Sequence, residues 1–388
     1  MKTVCITDGR YRSALAAARS FARAGYRVVV TQTRGDEKKE PPVFASVCAE
    51  GRWIEGRAAD PDYPDRLLAM LKRLAAEPEC DGKPILFCVG AVSLNRVAQE
   101  RERFAAAADF LMAPPSVLDS LNDKQTVHER CAALGIPVPK AYGSDAEDFP
   151  LIVKPRCGEK AGLKAKDRYR VVRSQAELRD ALAAVRPYDP EPVIQEKVSG
   201  SGFGVSLLLG RDSELLGAIC HRRIREYPYS GGPSTCCVSC YDPEKIRQAH
   251  ALLKSFGFVG LAMVEFKGDR VLEVNPRIWG SFPLTAICGS PICARYAQAA
   301  SGAFLPSGTP DDRTGANLPA WMPDYRTGVK LRFFFNDLAA CADLLRHGKL
   351  RRAGSALLDC FRVREALNDP EDKKAYRRYL RSYLPFRN

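Results

Sequence analysis

The chain has 388 residues, 46% of them hydrophobic and 27% charged, an ordinary balance for a globular protein with room for two or three cores. No uninterrupted apolar run approaches the roughly 18 residues that span a bilayer, so a membrane-spanning role is excluded. The formal charge of +13 gathers after Arg346 in Arg351-Arg352, Lys373-Lys374 and Arg377-Arg378. Interruption by Asp359, Glu365, Asp369, Glu371 and Asp372 makes this a solvated helical face rather than a nucleic-acid surface.

A basic balance also suits an anionic substrate. Fourteen cysteines without a spacing framework, in a chain too large to need staples, imply free thiols and a reducing, cytoplasmic setting. Residues 2–8 (K-T-V-C-I-T-D) read as a buried first strand rather than a signal peptide. A helix over Gly9–Gly25 and a strand over Tyr26–Thr31 complete a βαβ opening. The turn D-G-R-Y-R-S lacks the G-x-G-x-x-G spacing, so no dinucleotide site is assigned there. A helix near Tyr63–Ala76, a strand at Pro84–Val89 and a helix near Ser93–Phe104 continue the α/β pattern. Small-molecule contacts at the strand ends would centre on Asp8-Gly9-Arg10 and Val89-Gly90.

Ala113-Pro114-Pro115-Ser116 marks a boundary. Asn122-Asp123 then caps a helix from Lys124 to Leu134, ended by Gly135 and Pro137. Lys124 falls in the first turn, where free N–H groups already favour an anion; otherwise it is a surface lysine. In L-I-V-K-P-R-C-G-E-K-A-G, a strand delivers Lys154 to a loop holding Gly158, Lys160 and Gly162. V-I-Q-E-K-V-S-G-S-G-F-G-V, residues 193–205, reads as strand, glycine-rich turn and strand.

His221, Arg223 and Arg225 alternate along the next strand, before a Gly231-Gly232 turn. They form either a solvated edge or a reader of planar anions. Cys236-Cys237-x-x-Cys240 has no second Cys/His pair at zinc spacing and reads as structural thiols. His128, His250 and His347 have no motif partner and are taken as incidental.

The stretch M-V-E-F-K-G-D-R-V-L-E-V-N-P-R-I-W-G-S, residues 263–281, organises the chain. Glu273, Asn275 and Arg277 share one strand face by their period of two. A Gly268-Asp269 turn would pair Glu265 with Leu272 and send the two glutamates to opposite faces. A three-residue turn, Gly268 to Arg270, pairs Glu265 with Glu273 and is the expectation. Two carboxylates and an amide oxygen suit Mg²⁺, and an arginine two residues on suits a phosphoryl oxygen. The same pattern also describes an exposed polar strand face with a surface ion pair.

E-x-N-x-R after an upstream Glu resembles the metal-binding signature of the ATP-grasp superfamily. N-D-K, V-K-P with its loop, Q-E-K-V and the hairpin follow in that family's order over roughly residues 1–305. H-R-R-I-R-E together with E-V-N-P-R-I-W-G-S is similar to stand-alone carboxylate-amine ligases of the carbamoyl-phosphate-synthase-like branch. The resemblance implies an α/β protein: a Rossmann-like pre-ATP-grasp domain (1–112) and an ATP-grasp domain (113–310) whose two α+β lobes clamp ATP. The small lid lobe would cover about 136–197, and a mainly helical extension would follow over 311–388.

It further implies ATP with Mg²⁺ or Mn²⁺ on Glu265, Glu273 and Asn275. Lys124, Lys154, Gly158, Lys160 and Gly162 would lie on the phosphates. Glu196 with the backbone at Lys197 and Val198 would hold the adenine edge. Arg277, Arg223 and Arg225 would face the transferred phosphoryl group and the acid. Glu159-Lys160 depart from the family's small residues, and Gly202-Phe203-Gly204 stands where many members carry a ribose-binding acid.

The implied activity is an ADP-forming ligase joining a small-molecule carboxylate to an amine through an acyl phosphate. No nucleic-acid partner and no membrane span are implied, and homo-oligomerisation is left open. The alternative is an ATP-binding sensor of the same fold that catalyses nothing.

Overall fold

The opening segment folds into a parallel sheet of β1 (Thr3–Ile6), β2 (Arg27–Thr33), β3 (Glu50–Ile54) and β4 (Ile85–Phe87), in the order β3-β2-β1-β4. β1 is wholly buried, as a parallel strand between helices must be. The Arg12–Arg23 helix lies against the sheet through Ala14, Leu15, Ala17, Ala18 and Phe21. This computed structural model describes residues 1–157, 169–229, 231–303, 318–320 and 322–383. Gly158, Lys160 and Gly162 of the expected phosphate loop lie outside the described residues.

The Asp8 and Val89-Gly90 loops turn inward. Asp8 follows β1 at φ +61°, and its carboxylate accepts from Gly90 N (2.9 Å), Ser93 Oγ (2.8 Å) and the Thr7 hydroxyl. The Asp8 carboxylate thereby ties two strand ends together.

β5 (Leu151–Lys154), β6 (Arg170–Val172) and β7 (Val193–Glu196) form a small antiparallel sheet ordered β6-β5-β7. The Gln175–Val185 helix covers it. Ser174 caps that helix on Glu177 N, and Glu177 reaches back to Arg173 N at 2.9 Å. Leu151, Val153, Val172, Leu178, Leu182 and Val185 give this lobe a core of its own.

The largest sheet contains β8 (Gly202–Leu209), β9 (Leu215–Glu226), β10 (Ser234–Cys240), β11 (Gly260–Lys267), β12 (Arg270–Asn275), β13 (Lys330–Arg332) and β14 (Arg364–Glu365). Its order is β12-β11-β8-β9-β10-β13-β14. β13 and β14 come from the stretch expected to be a helical appendage. That stretch does hold helices at Phe334–Arg346, Leu350–Arg362 and Lys373–Tyr383, but its two strands extend the main sheet.

The C-terminal segment is also keyed to the first sheet. Arg19 donates to Asp372 at 2.9 Å, Arg23 to Asp369 at 2.6 Å, and Ser46 Oγ to Asp372 at 2.6 Å. Leu331, Leu367, Ala375 and Tyr379 share a core with Val4, Ile6 and Phe21. Among the described residues no helix is long and apolar enough to cross a membrane.

Candidate active site

The β11–β12 hairpin delivers the expected pairing by another route. Glu265 stands opposite Glu273, and Met263 opposite Asn275. Lys267 pairs with Arg270, so the turn has two residues, not three, with Gly268 at φ +61°. Parity is restored by a bulge: Phe266 pairs with Val271 and Glu265 with Glu273, leaving Leu272 unopposed. Without it Glu265 would face Leu272 and one carboxylate would turn into the apolar side. β12 is an edge strand of the sheet, and the Leu272 carbonyl is open to partners outside the ladder. It accepts from Lys154 Nζ (3.4 Å) and from His128 Nε2 (3.1 Å).

Asp123 caps the Lys124–Ala133 helix as the sequence indicates, accepting from Gln125 N (2.9 Å) and Thr126 N (3.3 Å). Lys124 is buried at the first turn, with Nζ 3.3 Å from Glu273 Oε2 and 3.4 Å from the Arg156 carbonyl. Arg156 also grips Asp123 through its guanidinium, at 2.6 Å. It was missed in the sequence because its work falls partly to a backbone carbonyl. The signal was its place two residues after Lys154.

Lys154 arrives at the end of β5 and is also buried. Burial, with the nearby Lys124 charge, brings its ammonium down to about 8 against the pull of Glu273 and Glu265. His128 lies one helical turn beyond Lys124, on the same side of the helix. Burial first, then the Lys154 charge, hold it at about 4. It is therefore a neutral imidazole, and its carbonyl partner requires the Nε2–H tautomer. It is not incidental.

Arg223 crosses from β9 to Glu265 on β11, passing over β8. It can do so because β8 is bare there. A Cβ on Gly202 would come within 2.8 Å of Arg223 Cδ, and one on Gly204 within 2.2 Å of His221 Cε1. Arg223 also pairs with Glu226 at 3.2 Å and donates to the Gly232 carbonyl at 3.3 Å. His221 is buried beside Ser281 Oγ (3.3 Å) and burial holds it near 3.

Arg225 parts company with Arg223. Cys237 pairs with Arg223 and Cys236 with Arg225, so Ile224 is a bulge in β9. Strict alternation is broken there. Arg225 is buried on Asp337 (2.8 Å to each oxygen) and Asp359 (2.6 Å), with Thr235 Oγ1 also donating to Asp337 at 2.9 Å. The expectation that both arginines face the phosphoryl group and the acid is corrected for Arg225, whose guanidinium is taken up by Asp337 and Asp359 and anchors the C-terminal helices.

The charge balance at the hairpin is uneven. Burial would raise Glu273, but Lys124 and Lys154 overrule it and hold the carboxyl well below its usual range. Glu265 is pushed up by burial and by the Glu273 charge, only partly offset by Arg223. Asn275 Nδ2 donates to Glu265 Oε1 at 3.1 Å, so the amide lies against the carboxylates. Two facing carboxylates with an amide beside them are a donor set that fits a hard divalent cation. No set of three or more His, Cys, Asp or Glu side chains that could hold a metal converges among the described residues. Cys236 and Cys237 are buried free thiols.

Two further residues are less directly placed. Arg277 donates through Nη1 to the Ile278 carbonyl at 3.0 Å. The Glu196 carboxylate accepts from Lys140 N (2.8 Å) and pairs with Arg270 (3.0 Å), bracing the end of β7 against the hairpin. Its carboxylate is thus engaged within the protein, and the Lys197 N–H donates to the Pro150 carbonyl at 3.4 Å.

Residues 121–281 match the ATP-grasp domain family. The chain carries an ATP-grasp domain. The matched span includes Lys124, Lys154, Arg223, Glu265, Glu273, Asn275 and Arg277, and stops short of the C-terminal helices. The fold resembles the biotin carboxylase–β-γ-ATP complex of Campylobacter jejuni, with a TM-score of 0.60 and 16% identity over 79% of this chain and 72% of that one. It also resembles the biotin carboxylase domain dimer of the Hydrogenobacter thermophilus 2-oxoglutarate carboxylase, solved with MgADP, ADP and bicarbonate. There the TM-score is 0.58 and identity 14%, over 85% of this chain and 73% of that one. At such identities the likeness is one of fold. No curated protein matches the chain.

Proposed function

We propose that the protein is an ATP-dependent carboxylate-amine ligase that forms an amide or peptide bond through an acyl phosphate and releases ADP and phosphate. The observation that carries this is the constellation itself: Glu265 and Glu273 face to face, two buried lysines behind them, and Arg223 crossing bare glycines to meet them. The ATP-grasp domain would span 113–310, with a pre-ATP-grasp domain over 1–112 and the extension over 311–388.

Glu265, Glu273 and the Asn275 amide oxygen would hold Mg²⁺ or Mn²⁺, which supplies positive charge to the phosphate oxygens. Lys124 and Lys154 exchange their present partners, Glu273 and the Leu272 carbonyl, for phosphate oxygens. The main chain at Lys197 and Val198 takes the adenine edge. Arg223 aligns the acid, and Arg277 takes up the charge of the moving phosphoryl group. A carboxylate oxygen of the acid attacks the γ-phosphorus and ADP leaves. The amine then attacks the acyl carbon, phosphate leaves, and the ammonium proton passes to solvent. No side-chain nucleophile is needed. The Hydrogenobacter biotin carboxylase domain dimer was solved in complex with bicarbonate as well as MgADP and ADP, a small acid together with nucleotide.

The test is a screen of acids with ATP and Mg²⁺, using hydroxylamine as the amine. The expected result is ADP and an acyl hydroxamate in equal amounts. AMP and pyrophosphate would contradict the mechanism, and nucleotide binding with no turnover on any acid would favour the sensor.

A further inference from the structure

A cavity of ≈ 280 Å³ lies against the outer side of Arg223, bounded by Gly202, Glu226, Tyr229, Leu344 and Arg352. Its inner wall comes from the ATP-grasp sheet. Its outer wall comes from the helices at Phe334–Arg346 and Leu350–Arg362, outside the matched family span. Arg223 is the hinge between cavity and metal residues, since the same guanidinium touches Glu265 and Glu226.

Three observations give this cavity a chemistry. Arg223 Nε is buried and has no hydrogen-bond acceptor. A buried donor left so is costly until an oxygen reaches it. Arg352, at the outer wall, has an exposed guanidinium with no ion-pair partner among the described residues. The third cation that lines the cavity, Arg225, is already spent on Asp337 and Asp359. Arg223 likewise holds Glu226 and Glu265, so what it offers the cavity is its unpartnered Nε, while Arg352 offers a whole guanidinium.

The outer wall is also held firmly. Arg225 locks both helices to β9, Tyr229 N donates to Asp343 at 2.7 Å, and the Tyr229 ring packs against the Cys341, Leu344, Ala353 and Ala356 core.

We propose that this cavity is the acid-substrate pocket and that it takes a dianionic acid. The reacting carboxylate would sit on Arg223 and a second carboxylate, or a comparable anionic group, on Arg352. The inference rests on the ligase reading for which carboxylate reacts. Its new element is Arg352, a specificity residue supplied by the C-terminal helices. At about 30 Å³ for each water-sized unit, the volume suits a compact metabolite of on the order of ten non-hydrogen atoms.

The experiment is equilibrium binding by titration calorimetry, in the presence of ADP and Mg²⁺. The probes are linear diacids from malonate to pimelate, each compared with the monoacid of equal length. Full-length wild-type protein should bind at least one diacid about tenfold tighter than its monoacid, the worth of one charge-assisted hydrogen bond. Arg352→Ala should erase that preference while leaving ADP affinity and melting temperature unchanged, and Arg352→Lys should restore part of it.

A wild-type protein without any diacid preference, or a preference that survives Arg352→Ala, overturns the pocket. Diacid binding that depends on Arg352 without ADP formation on any acid keeps the pocket and removes the ligase. ADP formation with acids whose binding ignores Arg352 does the reverse.

Discussion

Two strand pairs of the same sheet carry a one-residue bulge, and the two bulges have opposite consequences. In β11–β12 the bulge at Leu272 corrects a two-residue turn and brings Glu265 and Glu273 together. In β9–β10 the bulge at Ile224 separates two arginines that strict alternation would keep together. One arginine stays with the carboxylates of the site, and the other goes to the C-terminal helices. Side-chain parity along a strand therefore holds only between bulges, and a bulge is placed where charge must be gathered or divided.

The sharpest way to break that comparison is to remove each arginine in turn. Arg225→Ala takes the cation from the buried Asp359 and leaves Asp337 only Arg332 (3.4 Å) and Thr235, so it should cost roughly 3–5 kcal/mol of stability. Arg223→Ala should cost much less, because Glu265, already shifted upward, can take up a proton instead. Urea denaturation of the two variants checks this. Equal losses would mean that the two arginines do the same structural work.

The glycines of β8 come next in size. Gly204→Ala sets a methyl group against the buried His221 ring and should cost about 1–3 kcal/mol through overpacking. Gly202→Ala meets the Arg223 stem and the Glu226 carboxylate, both ends of flexible side chains, so its melting temperature should hold while Arg223 is pushed off Glu265 and turnover falls. Unchanged turnover in Gly202→Ala would show that the crossing of β8 is irrelevant to the chemistry.

A smaller effect should appear in the pH dependence. Lys154 sits near 8 in the free protein. Below that pH it is charged and ready for phosphate; above it the nucleotide must also recruit a proton. ATP affinity should therefore decline between pH 7.5 and 9 by up to about tenfold per pH unit, with a proton taken up on binding. Lys154→Arg keeps its charge and should flatten the profile. For stability the sign is the opposite: the unfolded lysine holds its proton to about 10.5, so this group adds stability as pH rises from about 8 to 10.5. A flat wild-type ATP profile would place Lys154 away from the phosphates.

What could be read from the chain follows from range. The helix cap at Asp123, Lys124 in the first turn, and the pairing of Glu265 with Glu273 are written in local pattern, and all three are present. The route to that pairing was not legible, because a turn with a bulge and a longer turn satisfy the same alternation. His128 was legible in principle, four residues after Lys124 on one helix. It was passed over because its partner is a backbone carbonyl of the edge strand β12. Arg225 misled because Asp337 and Asp359 lie more than a hundred residues away and leave no mark near it. β13 and β14, three and two residues long, are too short for any periodicity to register.

The hairpin carboxylates Glu265 and Glu273 are the centre of the proposed metal and phosphate site. The direct measurement is calorimetric titration of ATP into wild type and Glu273→Gln, each with and without Mg²⁺. Wild type should bind ATP far more tightly with Mg²⁺. Glu273→Gln should keep its melting temperature and lose the Mg²⁺ dependence, because ligand charge rather than packing has been removed. An unaltered Mg²⁺ dependence in a folded Glu273→Gln protein would contradict the assignment of this hairpin as the metal and phosphate site.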